Sequence, residues 1–225
     1  MKNHLKRIAA PRRWHIERKA NTFTTRPKPG AHPLDQGLPL NIILRDMVKI
    51  AASTSEVKKI LNNNEIFVDG KRRKDHRFIV GLFDVISFNK SQYRVALDTK
   101  GRLSLIEISA TEKTKKVCKV TGKSILKGGK VQLNLFDGKN IITSEKVSVG
   151  DSVLIELPSC KITKVFPLKE GATIYLQRGK RSGDSGTLKT LNDKQAVYES
   201  NGKDIETLKE YLFVIGEKKA EVKIQ

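Results

Sequence analysis

Arg45, Lys49, Lys58, Lys59, Asn62, Lys71, Arg72 and Arg73 crowd into one short stretch of the chain. Ammonium and guanidinium groups attract phosphate oxygens, and an asparagine amide can bond to phosphate or sugar. The chemistry on offer is therefore the capture of a polyanion. The return half of a hairpin, Lys71-Arg72-Arg73-Lys74, sets like charges side by side. Such neighbours repel, so selection for stability alone would not assemble them. A solvated charged face is the plainer explanation of one such run. It loses ground here because two preceding helical patterns also display cations.

These side chains need elements to hold them. Leu40, Ile43, Leu44, Met47, Val48 and Ala51 recur at helical spacing and form one apolar stripe. Arg45 and Lys49, four apart, project from the other side, and Ile42 falls with them. Ser53-Thr54-Ser55-Glu56 is a capping box that opens a second helix, with Val57, Ile60 and Leu61 as its apolar face. Lys58 and Asn62 stand one turn apart on its flank. Asn62, Asn63 and Asn64 tolerate a left-handed backbone and can stop it. Ile66-Phe67-Val68 reads as a strand, and Asp69-Gly70 as a two-residue hairpin turn.

Composition narrows the class of partner. Lys plus Arg number 44 against 24 Asp plus Glu, a net charge of +20 over 225 residues. That imbalance favours nucleic acid or an anionic membrane surface. No apolar run approaches the roughly 20 residues needed to span a bilayer, and no apolar secretory segment is present at the N-terminus. Cys118 and Cys160 lie far apart without metal-type spacing, as in a reduced cytosolic protein. No cofactor, metal or small-molecule substrate is indicated. His4, His15, His32 and His76 are scattered.

Local patterns predict an α+β chain, mostly β, in four parts. Residues 1–37 form a basic arm, in which Lys2, Lys6, Arg7, Arg12, Arg13 and their neighbours are opposed only by Glu17 and Asp35. Its prolines interrupt any long helix, and its composition predicts no core of its own and order mainly through contact with a partner. Trp14 reads either as a ring stacked on a base or as an anchor pinning the arm to the body. Residues 38–90 form the helix–helix–hairpin module. Residues 91–168 are a β-rich central module, barrel-like in the spacing of its strands and turns. Thr121-Gly122-Lys123-Ser124 lacks the first glycine of a phosphate loop, since Val117 stands there, and reads as a β-turn. Residues 169–225 carry a strand, a glycine-rich loop with Arg178, Lys180 and Arg181, and further strands. A short helix is predicted around Ile205 to Lys209. Glycines let such a loop approach a phosphate closely.

The order of these parts resembles the archaeal and eukaryotic small-subunit ribosomal protein family written S-four-e. His4-Leu5-Lys6-Arg7-Ile8-Ala9-Ala10-Pro11 with Trp14 is similar to its N-terminal signature. Residues 38 to 88 resemble its S-four-type (alpha-L) RNA-binding module, Gly171 to Leu188 its KOW motif, and Phe213-Val214-Ile215-Gly216 its closing strand. The module opens on Leu38-Pro39-Leu40, where bacterial and enzyme-associated relatives have Arg-Leu-Asp. The resemblance implies an SH3-like C-terminal barrel and a structural, non-catalytic constituent of the small subunit, cytoplasmic on the ribosome. It also implies small-subunit rRNA and neighbouring ribosomal proteins as partners. The chain stops soon after Gly216, as expected of the archaeal branch. On this reading the RNA-contacting residues are Lys6, Arg7, Arg12, Arg13, Trp14, the cations and Asn62 of the module, and Arg178, Lys180 and Arg181. Two other classes stay open. One is an RNA-modifying enzyme of pseudouridine-synthase type, which needs a further domain with a buried catalytic Asp, whereas Asp98, Asp137 and Asp151 each sit in a turn pattern where Asp is ordinary. The other is a KOW-bearing transcription or translation factor.

Overall fold

The computed structural model describes residues 3–89 and 91–224, so Lys2 of the basic arm lies outside the described residues. The chain divides into two compact units. The first gathers the residues up to Ala96 together with Arg102–Lys113; the second gathers Leu97–Gly101 and everything from Thr114 onward.

In the first unit the arm is folded. Leu5–Lys6 pairs antiparallel with Phe23–Thr24, and a 3-10 turn follows at Arg7–Ala9. Trp14 is 2% exposed, its indole N–H donating to the Leu34 carbonyl at 3.3 Å. Arg7 and Arg18 bond to backbone carbonyls: Arg7 to that of Glu17, Arg18 to those of Ile8, Ala10 and Pro11. The expectation of an arm ordered mainly by an outside partner is therefore corrected. Guanidiniums satisfy the carbonyls that a proline-interrupted segment leaves unpaired, and one large ring supplies the burial.

Leu40–Ile42 begins as α-helix and continues as a π-helical turn over Ile43–Met47, with the Val48 amide reaching back to the Ile43 carbonyl at 2.9 Å. Widening the turn removes the regular 100° step, so the predicted stripe does not persist. Leu40, Asn41, Ile42, Ile43 and Leu44 are all buried. Ile42 belongs to the core and not to a cationic face. Lys49 sits at φ 60°, past the end of the helix, so Ala51 is not part of that helix.

The second helix spans Thr54–Asn63. The Ser53 hydroxyl accepts from the Glu56 amide at 3.2 Å, and the Glu56 carboxylate accepts from the Ala52 amide at 2.9 Å. Val57 and Leu61 are buried and Ile60 is half-buried, as the periodicity predicts. Asn64 ends the helix in extended conformation, not left-handed. Ile66–Val68 turns through Asp69 and Gly70, both at positive φ, into a return strand of only Lys71–Arg72. The sheet then runs on through Val85–Phe88, Ser91–Leu97 and Leu103–Glu107. Val85–Phe88 and Ser91–Leu97, on either side of the boundary expected at residue 90, pair within one sheet.

The second unit holds two antiparallel five-stranded sheets. One orders Asn140–Thr143, Val131–Leu135, Lys115–Ile125, Ser152–Glu156 and Lys161–Phe166. The other orders Lys203–Leu208, Gln195–Ser200, Ser185–Leu191, Thr173–Leu176 and Leu212–Gly216. Two local expectations change here. Thr121 to Ser124 is strand, because a bulge between Val120 and Gly122 lets Lys115–Ile125 continue without turning. The helix expected near Ile205 is strand, followed by a 3-10 turn at Lys209–Tyr211. Alternation of Ile205 and Thr207 opposite Tyr198 and Ala196 wins over weak helical spacing. Among the described residues, no helix is long and apolar enough to cross a membrane.

Candidate nucleic-acid interface

The structure sorts the basic residues into internal and surface sets. Arg94 is fully buried and donates to Glu112 at 2.8 Å. Lys116, 1% exposed, pairs with Asp137 at 2.8 Å. Lys119 donates to the Glu210 and Leu212 carbonyls at 2.8 and 2.7 Å, and burial pulls its ammonium down to about 8. Arg7, 6% exposed, lies 3.8 Å from Asp46. None of these offers its charge to an external polyanion, so the 44 Lys and Arg side chains overstate the number of cations on the surface.

The surface set is concentrated on the second helix and the hairpin. Lys58, Lys59 and Asn62 are exposed along one side of Thr54–Asn63, opposite buried Val57 and Leu61. Lys71, Arg72 and Lys74 are exposed at the hairpin. Arg72 reaches the Asn62 carbonyl at 3.3 Å, tying hairpin to helix. Arg73 turns inward, with its guanidinium 4.2 Å from the centre of the Phe78 ring. His76 also faces Lys58: desolvation chiefly, then that ammonium, lowers its pKa. A local positive field is thus built into this side of the unit.

Arg45 differs from the expectation of an outward cation. It forks onto Asp46, Nε to Oδ1 at 2.7 Å and Nη2 to Oδ2 at 2.9 Å, and the hydrogen bonding raises its pKa. Nη1 lies 3.4 Å from the Thr54 hydroxyl. Lys49 is exposed beyond the π turn. Both line a cleft of about 1100 Å³ in the first unit, together with His15 and Arg102. Sequence reasoning passed over Arg102, which lies outside the basic runs, just before Leu103–Glu107, and joins Lys49 only through the fold. Lys6 and Arg12 are exposed on the arm; Arg13 is half-buried, its carbonyl bonded to the Leu103 amide. Trp14 is the anchor, with no face open to a base.

Phe23 was also missed. It is 53% exposed, opposite Lys6 in the arm's ribbon, with the His4 ring packed edge-on at 5.6 Å. Its sequence signal was an aromatic residue in an otherwise polar, basic segment.

In the second unit, Arg178, Lys180 and Arg181 are exposed on the loop before Ser185–Leu191. The close approach permitted by Gly183 (φ 96°) is to the chain itself: a Cβ there would collide with the Asp98 carbonyl. The carboxylates weighed as catalytic acids are occupied by structure. Asp98 accepts from the Lys100 amide, and Asp151 from the Ser148 and Leu168 amides. Asp137 is held by Lys116 and Lys139. Cys118 and Cys160 are free thiols.

Two family models match the chain: Ribosomal family S4e over residues 89–162 and the RS4NT domain over residues 1–35. The small ribosomal subunit protein eS4 of Methanocella arvoryzae is 41% identical over 222 residues, covering 95% of this chain and 94% of that protein. Its counterpart in Methanocaldococcus jannaschii is 38% identical over 242 residues, covering 99% and 98%. The crystal structure of the 30S ribosomal protein S4e from Thermoplasma acidophilum aligns with a TM-score of 0.72 at 31% identity, covering 81% of this chain and 96% of that one.

Proposed function

The chain belongs to ribosomal family S4e, and from that membership we propose that it is a structural, non-enzymatic constituent of the small ribosomal subunit that holds folded rRNA. The observation that carries the binding surface is the segregation of charge in the first unit. Lys58, Lys59, Lys71 and Arg72 stay exposed around one helix and hairpin, while the buried cations are matched by carboxylates or carbonyls. Cations fixed on rigid elements meet phosphates at set positions and so read shape, not sequence.

Lys6 and Arg12 extend this surface onto the arm, and Phe23 beside Lys6 offers an aromatic face on which an unpaired base can stack. Arg178, Lys180 and Arg181, in the segment with the KOW pattern, make a second contact. Two contacts on one chain raise effective concentration, so modest individual affinities combine into tight binding. Arg45 and Arg7 act indirectly, because both are spent on Asp46 and backbone. The partners are small-subunit rRNA and adjoining ribosomal proteins, and the place is the cytoplasmic ribosome.

The test is stoichiometric. The chain should sediment one-to-one with small subunits at physiological salt and bind small-subunit rRNA with a steep salt dependence, the log–log slope changing by roughly 0.7 to 0.9 per phosphate contact. Substoichiometric, exchangeable association would instead describe a cycling factor.

A further inference from the structure

We propose that the cleft of about 1100 Å³ in the first unit receives a single unpaired RNA nucleotide turned out of its stack, with its phosphate at Lys49 and Arg102 and its base against Ile16, Met47 and Leu105. The proposal rests on the rRNA-binding reading but concerns a different surface from the helix and hairpin.

Size is the first argument. Sites for small ligands occupy roughly 300–1000 Å³, so this cleft has room for a nucleotide and its flanking phosphate. Chemistry is the second. Ile16, Met47 and Leu105 are half-buried, presenting apolar surface, while Lys49 and Arg102 are exposed. A nucleotide divides in the same way, into a flat base and an anionic ester. Electrostatics is the third. Asp46 would repel a phosphate, but the Arg45 fork at 2.7 and 2.9 Å and Arg7 at 3.8 Å offset its charge. The other lining carboxylate, on exposed Glu17, suits an RNA ligand, because a 2′-hydroxyl or base N–H can donate to it.

Backbone geometry contributes as well. The π turn at Ile43–Met47 and the left-handed Lys49 bring Met47 and Lys49 to the same cleft, an arrangement a regular helix would not produce. A smaller adjoining cleft of about 450 Å³ shares His15, Ile16 and Arg102 and adds Arg12, so the cationic lining continues for a neighbouring phosphate.

The experiment uses the full chain and a small-subunit rRNA transcript carrying 4-thiouridine. After irradiation, crosslinked peptides and nucleotides are identified by mass spectrometry. The expected result is a crosslink from a nucleotide outside any base pair to peptides containing Ile16, Met47 or Leu105. Arg102→Ala should weaken that crosslink by about tenfold, the loss of one charge-assisted contact. The triple variant Lys58→Ala, Lys59→Ala, Lys71→Ala should lower overall affinity and leave the crosslinked positions unchanged. Crosslinks confined to the second helix and hairpin, or an unaffected Arg102→Ala variant, would overturn the cleft proposal and leave rRNA binding intact. Loss of all rRNA binding by the wild-type chain would overturn the parent reading.

Discussion

Trp14 and Leu34 close the arm on itself: the indole N–H reaches the Leu34 carbonyl at 3.3 Å, and the ring is 2% exposed. The expected consequence is an arm ordered before any RNA arrives. Trp14 emission should be blue-shifted and shielded from iodide in the free protein, and rRNA should scarcely change it. Trp14→Ala should cost about 3–5 kcal/mol in denaturant unfolding, as for other large-to-small core changes. A red, readily quenched emission that shifts on adding rRNA would restore the ring to the RNA interface.

The exposed lysines of the second helix and hairpin carry a different expectation. Lys58→Ala, Lys59→Ala and Lys71→Ala together should leave the unfolding midpoint near wild type, since their side chains project from the buried Val57 and Leu61 face. The magnitude of the salt slope of rRNA binding should fall by about 2 to 3, at roughly 0.7–0.9 per lost phosphate contact. Filter binding across a salt series measures it. An unchanged slope would remove these side chains from the interface.

Lys119 predicts a pH effect on stability. Burial brings its folded pKa to about 8, below its ordinary value of 10.5. Between those values the unfolded chain holds a proton that the folded chain has released. Stability therefore gains with rising pH in that window, by up to about 1.4 kcal/mol per pH unit from this group. Below pH 8 both states are protonated and the contribution is flat. Chemical denaturation of wild type and Lys119→Met at pH 7, 8, 9 and 10 should show the two stability curves parallel below 8 and converging above it, with wild type gaining. Curves parallel throughout would exclude the effect.

Gly183 tests whether the basic loop of the second unit is positioned by internal packing. Its φ is 96°, and a Cβ would meet the Asp98 carbonyl. Gly183→Ala combines backbone strain with a steric clash, so a loss of roughly 1–3 kcal/mol or more is expected. Gly202→Ala, also at positive φ (73°) but with open space around it, should cost less. Equal losses at the two sites would show that conformation alone, not the close approach, matters at Gly183.

Patterns decided by near neighbours were legible in the sequence. The Ser53–Glu56 capping box, the Asp69-Gly70 turn, the alternation over Val131–Leu135 and the grouping of Lys58 and Lys59 opposite Val57 and Leu61 depend on residues a few positions apart. Their geometry is set by φ/ψ preference and period. Two of the elements that misled were those in which a bulge or a π turn altered the period, at Gly122 and at Ile43–Met47. Neither leaves a local mark strong enough to read.

Composition alone established a strongly basic chain suited to a polyanion. Which cations face outward was a decision of tertiary structure. Lys116 is neutralised by Asp137, 21 residues away, and Lys119 is held by hydrogen bonds to carbonyls 91 and 93 residues away. Arg102 meets Lys49 only where the fold closes a cleft around them. A charge is expensive to bury unless a partner waits for it, and partners distant in sequence become neighbours only when the chain has folded.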